Sequence, residues 1–414
     1  MKILVAHNSY QNRGGEDAVC ESEITILRDA GHEVIEYLRQ NDEILGYSFF
    51  EKARLGLSAS WSARTSRDLQ DILARESPSV AHFHNTFPLI SPSAHYACRA
   101  AGVPVVQTLH NFRLLCPGGN LFREGRVCEE CVSHSLVHSV THSCYRDSRA
   151  ATAALASMLA LHRLCKTWTT QVDLFLVCTE FARRTFVNAG FDESRIKVKP
   201  NFIPAAPRIG ANAAKTAMFI GRLSEEKGPQ LLLSAWSKLA QPIPLEIVGD
   251  GPLRASLDLA RSRLNLHSVH LTGWLVPTDV MEFLRLAKFL IVPSICYEGF
   301  PLAIAEAYAH GVPVIAAGHG GLAEIVLDGF TGLHFRPGDA EDLASKVAWA
   351  WLHPREMETM GRAARLEYET KYTRTAALSH LESAYEYALK KNPATTLQAR
   401  AHTRAELYSR ANEK

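Results

Sequence analysis

The sequence predicts an α/β protein made of two Rossmann-like, doubly wound domains that face a central cleft. The chain has 414 residues, of which 47% are hydrophobic and 21% charged, enough to fold two globular domains. Short apolar runs alternate with helical patterns along most of the chain, which is typical of parallel sheets with crossover helices. A segment rich in proline and alanine at 201–214 separates two such sets and predicts a linker. We expect ligands at the carboxyl ends of the strands.

Twelve short apolar runs predict the strands, six before the linker and six after it. They lie at 3–7, 33–38, 80–84, 103–109, 174–179, 196–200, 217–220, 245–248, 269–272, 289–292, 314–316 and 332–335. The first domain is therefore predicted at 1–200 and the second at 215–372, which is helical from about residue 354. The polar end of the chain, 392–414, predicts a loosely ordered tail or a terminal helix.

The composition excludes several classes of function. A net charge of +2 gives no basis for nucleic-acid binding. The apolar run 1–6 is too short for a signal peptide, and no stretch reaches the roughly 20 apolar residues of a membrane span. We therefore expect a cytoplasmic protein. At 46–67, aromatic and aliphatic residues are mixed with lysine and arginine, which predicts a helix packed on the sheet or, alternatively, a peripheral contact with an anionic membrane.

Glycines and histidines follow the first strands. Gly14 and Gly15 lie between a strand and a helix, where glycines allow either a tight turn or a close approach of the backbone to an anionic ligand. No G-x-G-x-x-G follows the first strand, which argues against an NAD-dependent oxidoreductase. His84 with Asn85, and His110, end two other strands, and this is a better position for chemistry than a helix face.

Four of the nine cysteines lie close together in the sequence. Cys116, Cys128, Cys131 and Cys144 include one C-x-x-C pair, and this spacing predicts a structural zinc site within an insertion at about 116–144. The nearby histidines His134, His138 and His142 are alternative ligands, and free thiols or a redox pair are the alternative interpretation. The insertion has little apolar content, which favours a metal that stabilises it.

Two cations follow the first strand of the second domain. Arg222 offers a planar fork and Lys227 a point charge, so that the pair could neutralise a diphosphate. The alternative is a solvated turn in which Glu225 and Glu226 pair with them.

The segment 298–317 predicts a loop, a short buried helix and a strand. Pro301 is expected at the first helical position and Gly311 at the left-handed cap. Glu306 lies inside an otherwise apolar helix, where a carboxylate needs a partner. That partner is either His310, one turn later, or the hydroxyl groups of a ligand whose phosphate binds the helix start.

Glu298 and Glu306, with seven residues between them around Gly299-Phe300-Pro301, resemble the paired-glutamate motif of the retaining family-4 glycosyltransferases. These are GT-B enzymes that move a sugar from a nucleotide-diphosphate donor. The resemblance extends from residue 1 to about residue 390. It implies that the last helix, at 373–391, crosses back to the first domain, and that similar cysteine insertions are structural.

The resemblance implies roles for individual residues. His110 would approach the donor sugar, Arg222 and Lys227 would hold the diphosphate, Glu298 the sugar hydroxyls and Glu306 the ribose. The donor would further contact Gly14, Gly15, Gly249, Asp250, Thr272, Gly273, Trp274, Gly299, Phe300, Pro301 and Leu302. Asp250 could equally cap a helix, and Glu324 is expected to be structural.

The implied reaction is retaining transfer to a saccharide or lipid-linked acceptor, as in the synthesis of surface polysaccharides or glycoconjugates, with no catalytic metal. UDP- and GDP-sugar donors stay open. A nucleotide-sugar epimerase and a catalytically silent nucleotide-sugar-binding protein on the same fold are the alternatives.

Overall fold

A computed structural model describes residues 1–11, 13–48, 51, 55–56, 58–203 and 216–391. The first sheet has the strand order β2-β1-β3-β4-β7-β8, and all its neighbouring strands are parallel. Its strands are β1 Lys2–Ser9, β2 Glu33–Gln40, β3 Val80–Phe83, β4 Val105–Leu109, β7 Leu174–Val177 and β8 Ile196–Val198.

The second sheet repeats this architecture. Its order is β11-β10-β9-β12-β13-β14, again parallel throughout. Its strands are β9 Thr216–Ile220, β10 Leu245–Val248, β11 Val269–Gly273, β12 Ala287–Val292, β13 Val314–Ala317 and β14 Gly332–Phe335. The two Rossmann-like sheets and all twelve predicted strands are confirmed.

A two-stranded antiparallel ribbon lies between the sheets in sequence and was not predicted. It consists of β5 Phe122–Arg123 and β6 Arg126–Val127. Strands of two residues are too short to show an alternating pattern, so periodicity could not find them.

The helices connect the strands of both sheets. Those before the linker are α1 Gly15–Asp29, α2 Ala63–Glu76, α3 Ser93–Ala100, α4 Glu130–Ser133, α5 Val137–Thr141, α6 Arg149–Leu164, α7 Thr167–Thr170 and α8 Glu180–Asn188. Those after it are α9 Pro229–Trp236, α10 Arg254–Arg263, α11 Pro277–Arg285, α12 Leu302–Ala309, α13 Gly320–Ile325, α14 Ala340–Leu352, α15 Pro354–Lys371 and α16 Arg374–Lys391.

The expected position of Pro301 was wrong by one residue. Helix α12 begins at Leu302, and Pro301 is its N-cap, with an extended ψ of 116°. Proline fixes φ but not ψ, so it fits the N-cap position as well as the first helical one. Gly311 follows the helix with a φ of +70°, as expected of a left-handed cap.

The last helix, α16, packs on the first sheet, although the chain reaches it from the second. Leu381 and Tyr385 are fully buried in one cluster with Ile3 and Val5 of β1. Burial of apolar side chains stabilises a structure by roughly 25 cal/mol per Å². The helix therefore ties the end of the chain to its beginning.

Three predicted segments lie wholly or partly outside the described residues. The linker 201–214 is described only as far as residue 203, and the tail 392–414 not at all. Of the segment 46–67, the structure describes residues 46–48, 51, 55–56 and 58–67. In it, Trp61 is 50% exposed, and its ring centroid lies 5.2 Å from that of Tyr96. Among the described helices, none is long and apolar enough to cross a membrane.

Candidate functional site

The two domains meet where the carboxyl ends of their strands face each other. A side chain on Gly299 would place its Cβ 2.2 Å from the carbonyl oxygen of His110, so only glycine allows this approach of two backbones. A Cβ on Gly15 would lie 3.4 Å from Leu302 Cδ1. The glycine loop after β1 and the loop before α12 are thus neighbours across the cleft.

Glu324 joins the two domains. Its carboxylate oxygens accept hydrogen bonds from the amides of Glu180, at 2.7 Å, and Phe181, at 2.6 Å. These are the first amides of α8, where a negative charge is stabilising. Glu324 belongs to α13 of the second domain, so its part in the structure is to cap a helix of the first domain.

Lys227 and Glu298 form an ion pair in the cleft. Lys227 Nζ donates to Glu298 Oε1 at 2.6 Å, and the Ser294 hydroxyl donates to the same oxygen at 2.6 Å. Burial by itself lowers the pKa of Lys227, but the charge of Glu298 outweighs it, and the pKa is raised above its usual value. The ammonium is therefore charged, and Glu298 is held on the side of the cleft where Lys227 lies.

Arg222 is exposed, and within the described parts of the chain no group accepts a hydrogen bond from its guanidinium. The alternative of a solvated turn paired by glutamates is wrong for Lys227, which pairs with Glu298. Glu226 accepts instead from the hydroxyl of Ser224, at 2.6 Å. The two cations therefore differ, since one is paired across two loops and the other is open to solvent.

Close contacts between backbones shape the loop that carries these cations. Gly228 has a φ of +67°, and a Cβ there would lie 2.3 Å from the carbonyl oxygen of Pro293. Gly249 has a φ of +138°, and its Cβ would lie 1.9 Å from the carbonyl oxygen of Gly221. No other residue type fits these two positions, so the loops after β9, β10 and β12 pack directly on one another.

Of three other predicted donor residues, two have hydrogen-bond partners within the second domain and the third is exposed. Asp250 is exposed and accepts from the amide of Gly251, at 2.7 Å, whereas the N-cap of α10 is Leu253, so the helix-cap alternative is wrong. The Thr272 hydroxyl donates to Glu246 Oε2 at 2.7 Å. Trp274 is 69% exposed beside Gly273, whose φ is +87°. An exposed indole at the end of a strand is available to a ligand.

Glu306 has no partner for its carboxylate among the residues that the structure describes. Burial raises its pKa to about 7. The alternative partner, His310, instead has its Nε2 atom 3.3 Å from Met281 Sδ. At the start of the same helix, the amides of Leu302 and Ala303 donate no hydrogen bond to any described residue. The helix thus presents two open amides at its positive end and an unsatisfied carboxylate deeper in.

Phe300, just before α12, is 8% exposed, and its ring packs edge-on against that of Tyr372 at 5.3 Å. Its carbonyl oxygen accepts from Asn201 Nδ2 at 3.4 Å. Its side chain therefore fixes the loop, and only its backbone is left to face a ligand.

His110 is paired with His84 rather than with the second domain. Their rings stack with centroids 5.2 Å apart, and His84 Nδ1 lies 2.9 Å from His110 Nε2. Burial lowers the pKa of His110 to about 3 and that of His84 well below its usual value. Both rings are therefore neutral at pH 7.

Behind the two histidines lies a buried charge pair that the sequence did not reveal. Lys199 Nζ donates to Glu23 Oε1 at 2.5 Å, and both side chains are at most 1% exposed. Glu23 Oε2 lies 3.5 Å from His84 Nε2 and 3.9 Å from His82 Nδ1. The spacing of Glu23, His82 and His84 would suit a metal ion. However, Glu23 already pairs with the Lys199 ammonium, and His82 Nδ1 lies 2.8 Å from the Tyr385 hydroxyl. A single Glu on a helix and a single Lys after a strand give no signal in sequence.

Asp17 anchors the glycine loop. It accepts from the Gly14 amide at 2.8 Å and the Tyr10 amide at 3.3 Å, and it lies 2.8 Å from His7 Nε2. Burial raises the pKa of Asp17, but the hydrogen bonds from His7 and Gly14 outweigh it, and the net pKa is lowered. An ionised carboxylate thus holds the loop in place, with Gly14 as the N-cap of α1.

A cavity opens beside this loop, and sequence analysis named only part of its wall. It is lined by His84, Asn85 and His110, which were predicted, and by Glu16, Asn111 and Arg113, which were not. Asn111 and Arg113 directly follow His110, so their position after β4 was the signal that could have found them.

The four cysteines are all free of disulfides. Burial and the other three thiols raise the pKa of Cys131 to about 11. However, no three of the four sulfurs all lie within 4.8 Å of one another. A tetrahedral zinc with bonds of about 2.3 Å needs sulfurs roughly 3.8 Å apart. The sulfurs of the described thiols are not arranged as such a tetrahedral set, and the zinc site stays an untested prediction.

Two family models match the chain, Glycosyltransferase Family 4 over residues 14–206 and Glycosyl transferases group 1 over residues 208–367. D-rhamnosyltransferase WbpZ of Pseudomonas aeruginosa is 32% identical over 158 residues, which are 38% of this chain and 41% of that protein. Glycogen synthase of Mycobacterium tuberculosis is 28% identical over 309 residues, 72% of this chain and 68% of that one. The match thus spans about two fifths of the first relative and two thirds of the second.

Solved structures share the fold. Anabaena HepE in complex with UDP and glucose has a TM-score of 0.67 at 17% identity, covering 92% of this chain and 99% of that one. Sucrose-phosphate synthase from Thermosynechococcus elongatus has a TM-score of 0.69 at 17% identity, covering 93% and 98%. With two matching family models in tandem and the same two-sheet architecture, the chain belongs to the family-4 glycosyltransferases and has the GT-B fold.

Proposed function

We propose that the protein transfers a sugar, with retention of configuration, from a UDP- or GDP-sugar to a saccharide or lipid-linked acceptor. The observation that carries this proposal is the arrangement around α12. The loops after β9 and β12 carry the exposed Arg222, whose guanidinium has no acceptor among the described residues, and the charged Lys227–Glu298 pair. Helix α12, which follows, adds two open amides and a carboxylate without a described partner. Such a set suits a nucleotide diphosphate attached to a polyhydroxyl group.

Each group has a role in this proposal. Arg222, Lys227 and the amides of Leu302 and Ala303 stabilise the diphosphate, because it gains negative charge as it leaves. Glu306 binds the ribose hydroxyls, whose hydrogen bonds repay the cost of its burial. Glu298 binds the hydroxyls of the donor sugar, held in place by Lys227 and Ser294.

The first domain completes the reaction. His110 is neutral, and its backbone contacts the loop at Gly299, so it lies near the position of the donor sugar. No described carboxylate forms a second member of a nucleophile pair with Glu298. We therefore propose reaction on one face of the sugar, in which the leaving phosphate helps to deprotonate the acceptor and preorganised charge supplies most of the rate.

The relatives support this class of reaction. The HepE structure contains UDP and glucose, which favours UDP as the first nucleotide to test. A rhamnosyltransferase and a glycogen synthase are among the similar proteins, so a role in the synthesis of polysaccharide or glycoconjugate follows as part of the proposal. We also propose a cytoplasmic location, with a peripheral membrane contact through the basic residues of 46–67. Sedimentation with anionic vesicles tests this contact.

A thermal-shift screen against UDP, GDP, ADP and their sugar conjugates tests the donor site first. A ligand that binds only the folded state raises its stability by RT ln(1 + [L]/Kd), so one selective shift identifies the base. If no nucleotide shifts the melting temperature, the transferase proposal fails, and binding of another ligand class remains.

Product analysis separates the alternatives that use the same fold. A transferase converts donor and acceptor to a glycoside and a nucleoside diphosphate, and the anomeric proton coupling in NMR reports retention. An epimerase would instead change the configuration of the sugar without an acceptor. A silent binding protein would show a thermal shift and no product at all.

A further inference from the structure

Arg113 lines the cavity of the first domain in an unusual setting. It lies four residues after β4, and its guanidinium carbon is 5.5 Å from the ring centroids of both Phe87 and Tyr145. Aromatic faces favour a planar cation, so the two rings fix the guanidinium without hydrogen bonding to it. The two rings therefore hold the Arg113 guanidinium in one position before any ligand binds.

Two of the three nitrogens of this guanidinium have no acceptor among the described residues. Nε and Nη1 are buried and donate no hydrogen bond to any described residue. Native structures rarely leave buried donors of a charged group unmade unless a ligand or water completes them. Arg113 thus resembles a binding group more than a structural one.

The nearest carboxylate does not explain Arg113. Glu16 lines the same cavity, but its Oε1 accepts from Asn111 Nδ2 at 2.6 Å and its Oε2 from the Tyr10 hydroxyl at 2.9 Å. Neither of these two bonds involves Arg113. His84 and His110, the other titratable groups on the wall, face each other. Burial by itself lowers the pKa of Arg113, but Tyr10, Tyr145 and Glu16 outweigh it, so the guanidinium is charged while its Nε and Nη1 still lack a described acceptor.

The cysteine-containing insertion packs against Arg113. Tyr145 directly follows Cys144, and a Cβ on Gly119, within the insertion, would lie 3.4 Å from Arg113 Nη2. The Phe112 amide donates to the Gly119 carbonyl at 2.8 Å, which holds the insertion against the end of β4. The insertion thus helps to hold the loop that carries Arg113 in place.

We propose that this cavity binds an anionic group of the acceptor, either a phosphate ester or a sugar carboxylate, through Arg113. The planar guanidinium can donate two parallel hydrogen bonds to a phosphate or to a carboxylate. A neutral hydroxyl group cannot take the place of either anion in this contact. Glu16 and Asn111 remain to bind hydroxyl groups of the same acceptor. Glu16 adjoins Gly15, which meets Leu302 across the cleft, so the anchored acceptor lies beside the donor. This inference rests on the transferase function proposed above.

Calorimetric titration of inorganic phosphate and of glucuronate tests the site. The protein is first saturated with the nucleoside diphosphate that gives the largest thermal shift, so that the donor site cannot bind phosphate. Wild type is compared with Arg113→Gln and with the matched control Arg146→Gln. Arg146 is exposed and also lies 5.5 Å from the Tyr145 ring, but it does not line the cavity.

We expect wild type and Arg146→Gln to bind one of the two anions alike, and Arg113→Gln to bind it at least tenfold more weakly. Binding of phosphate alone would indicate an acceptor with a phosphate ester. Binding of glucuronate alone would indicate an acceptor with a sugar carboxylate. If wild type binds neither anion, or Arg113→Gln binds as wild type does, the inference is overturned. Should Arg113→Gln melt early, Arg113→Lys keeps the charge but loses the fork, and its affinity must fall below that of wild type.

The same variants separate this inference from the proposed donor site. Arg113→Gln should show the wild-type thermal shift with the nucleoside diphosphate, because Arg113 lies in the first domain. If no nucleotide binds to any variant but anion binding still depends on Arg113, the anion site stands and the donor site fails. If the nucleotide shift is lost in Arg113→Gln alone, Arg113 belongs to the donor site and the inference falls.

Discussion

The two domains place their charged groups in opposite ways. In the second domain, Arg222 and the Lys227–Glu298 pair lie on loops whose backbones pack against one another through glycines. In the first domain, Lys199 and Glu23 are buried in the core behind the histidines. A charge on a loop can be used by a ligand at little cost to the fold, whereas a buried charge is bound to the fold itself. The comparison predicts that breaking the buried pair of the first domain acts on stability, and that removing the Lys227 cation of the second domain acts on catalysis.

The largest expected effect is on stability, from breaking the buried pair. Lys199→Met leaves Glu23 buried and uncompensated, which typically costs about 3–5 kcal/mol of the free energy of unfolding. Urea denaturation followed by circular dichroism measures it. The matched control is Arg222→Gln, which removes an exposed cation and should change the stability by less than about 0.5 kcal/mol. Equal losses in the two variants would contradict the comparison.

The next largest effect is expected on catalysis, when the Lys227 cation of the second domain is removed. Lys227→Ala should lower kcat/KM by roughly 10²–10³-fold, the usual loss on removal of one preorganised group that stabilises developing charge. The protein should stay folded, with a thermal transition near that of wild type. Glu298→Gln should reduce transfer as well. The neutral amide replaces the carboxylate that accepts from Lys227 and Ser294 and that is proposed to bind the sugar hydroxyls. Full activity in either variant would contradict the donor-site assignment.

A smaller effect is expected where the two domains touch. Gly299→Ala would place a methyl group 2.2 Å from the His110 carbonyl oxygen, so the loop must move away from the first domain. A displacement of about 1 Å between reacting groups can cost on the order of 10²-fold in rate. Gly46→Ala is the control, since nothing lies within 4 Å of its Cβ. Steady-state kinetics of the two variants should differ, and if both match wild type the close approach does not matter for the reaction.

The smallest effect concerns Glu306 and pH. Its pKa is raised from 4.5 to about 7 by burial, so the native state holds this proton over a pH range in which the unfolded chain has lost it. Stability without a ligand should therefore fall as the pH rises from about 4.5 to 7, by about 1–3 kcal/mol in total. Glu306→Gln should lose this slope. Melting temperatures at pH 5 and pH 7.5 measure it, and an unchanged slope in the variant would assign the effect to another group.

Much of the fold was predictable because it depends on local patterns. Every predicted strand was found, since strands that are buried on both faces are short apolar runs between turns. The ribbon β5–β6 was missed because it has no core face, and Pro301 was misplaced by one residue because its φ suits both positions. The donor site was predictable because its residues lie close together in the sequence. Arg222 and Lys227 belong to one loop, and Glu298 and Glu306 lie on either side of one helix start.

The sequence by itself determined two parallel sheets, the residues at their strand ends and the family. Only the tertiary structure decided which side chains meet. Lys227 pairs with Glu298 across 71 residues, Lys199 with Glu23 across 176, and Glu324 caps a helix of the other domain. Such partners are set by the packing of distant elements, which no local pattern records. The setting of Arg113 is of the same kind, because Phe87 and Tyr145, whose rings flank its guanidinium, lie far from it in the sequence.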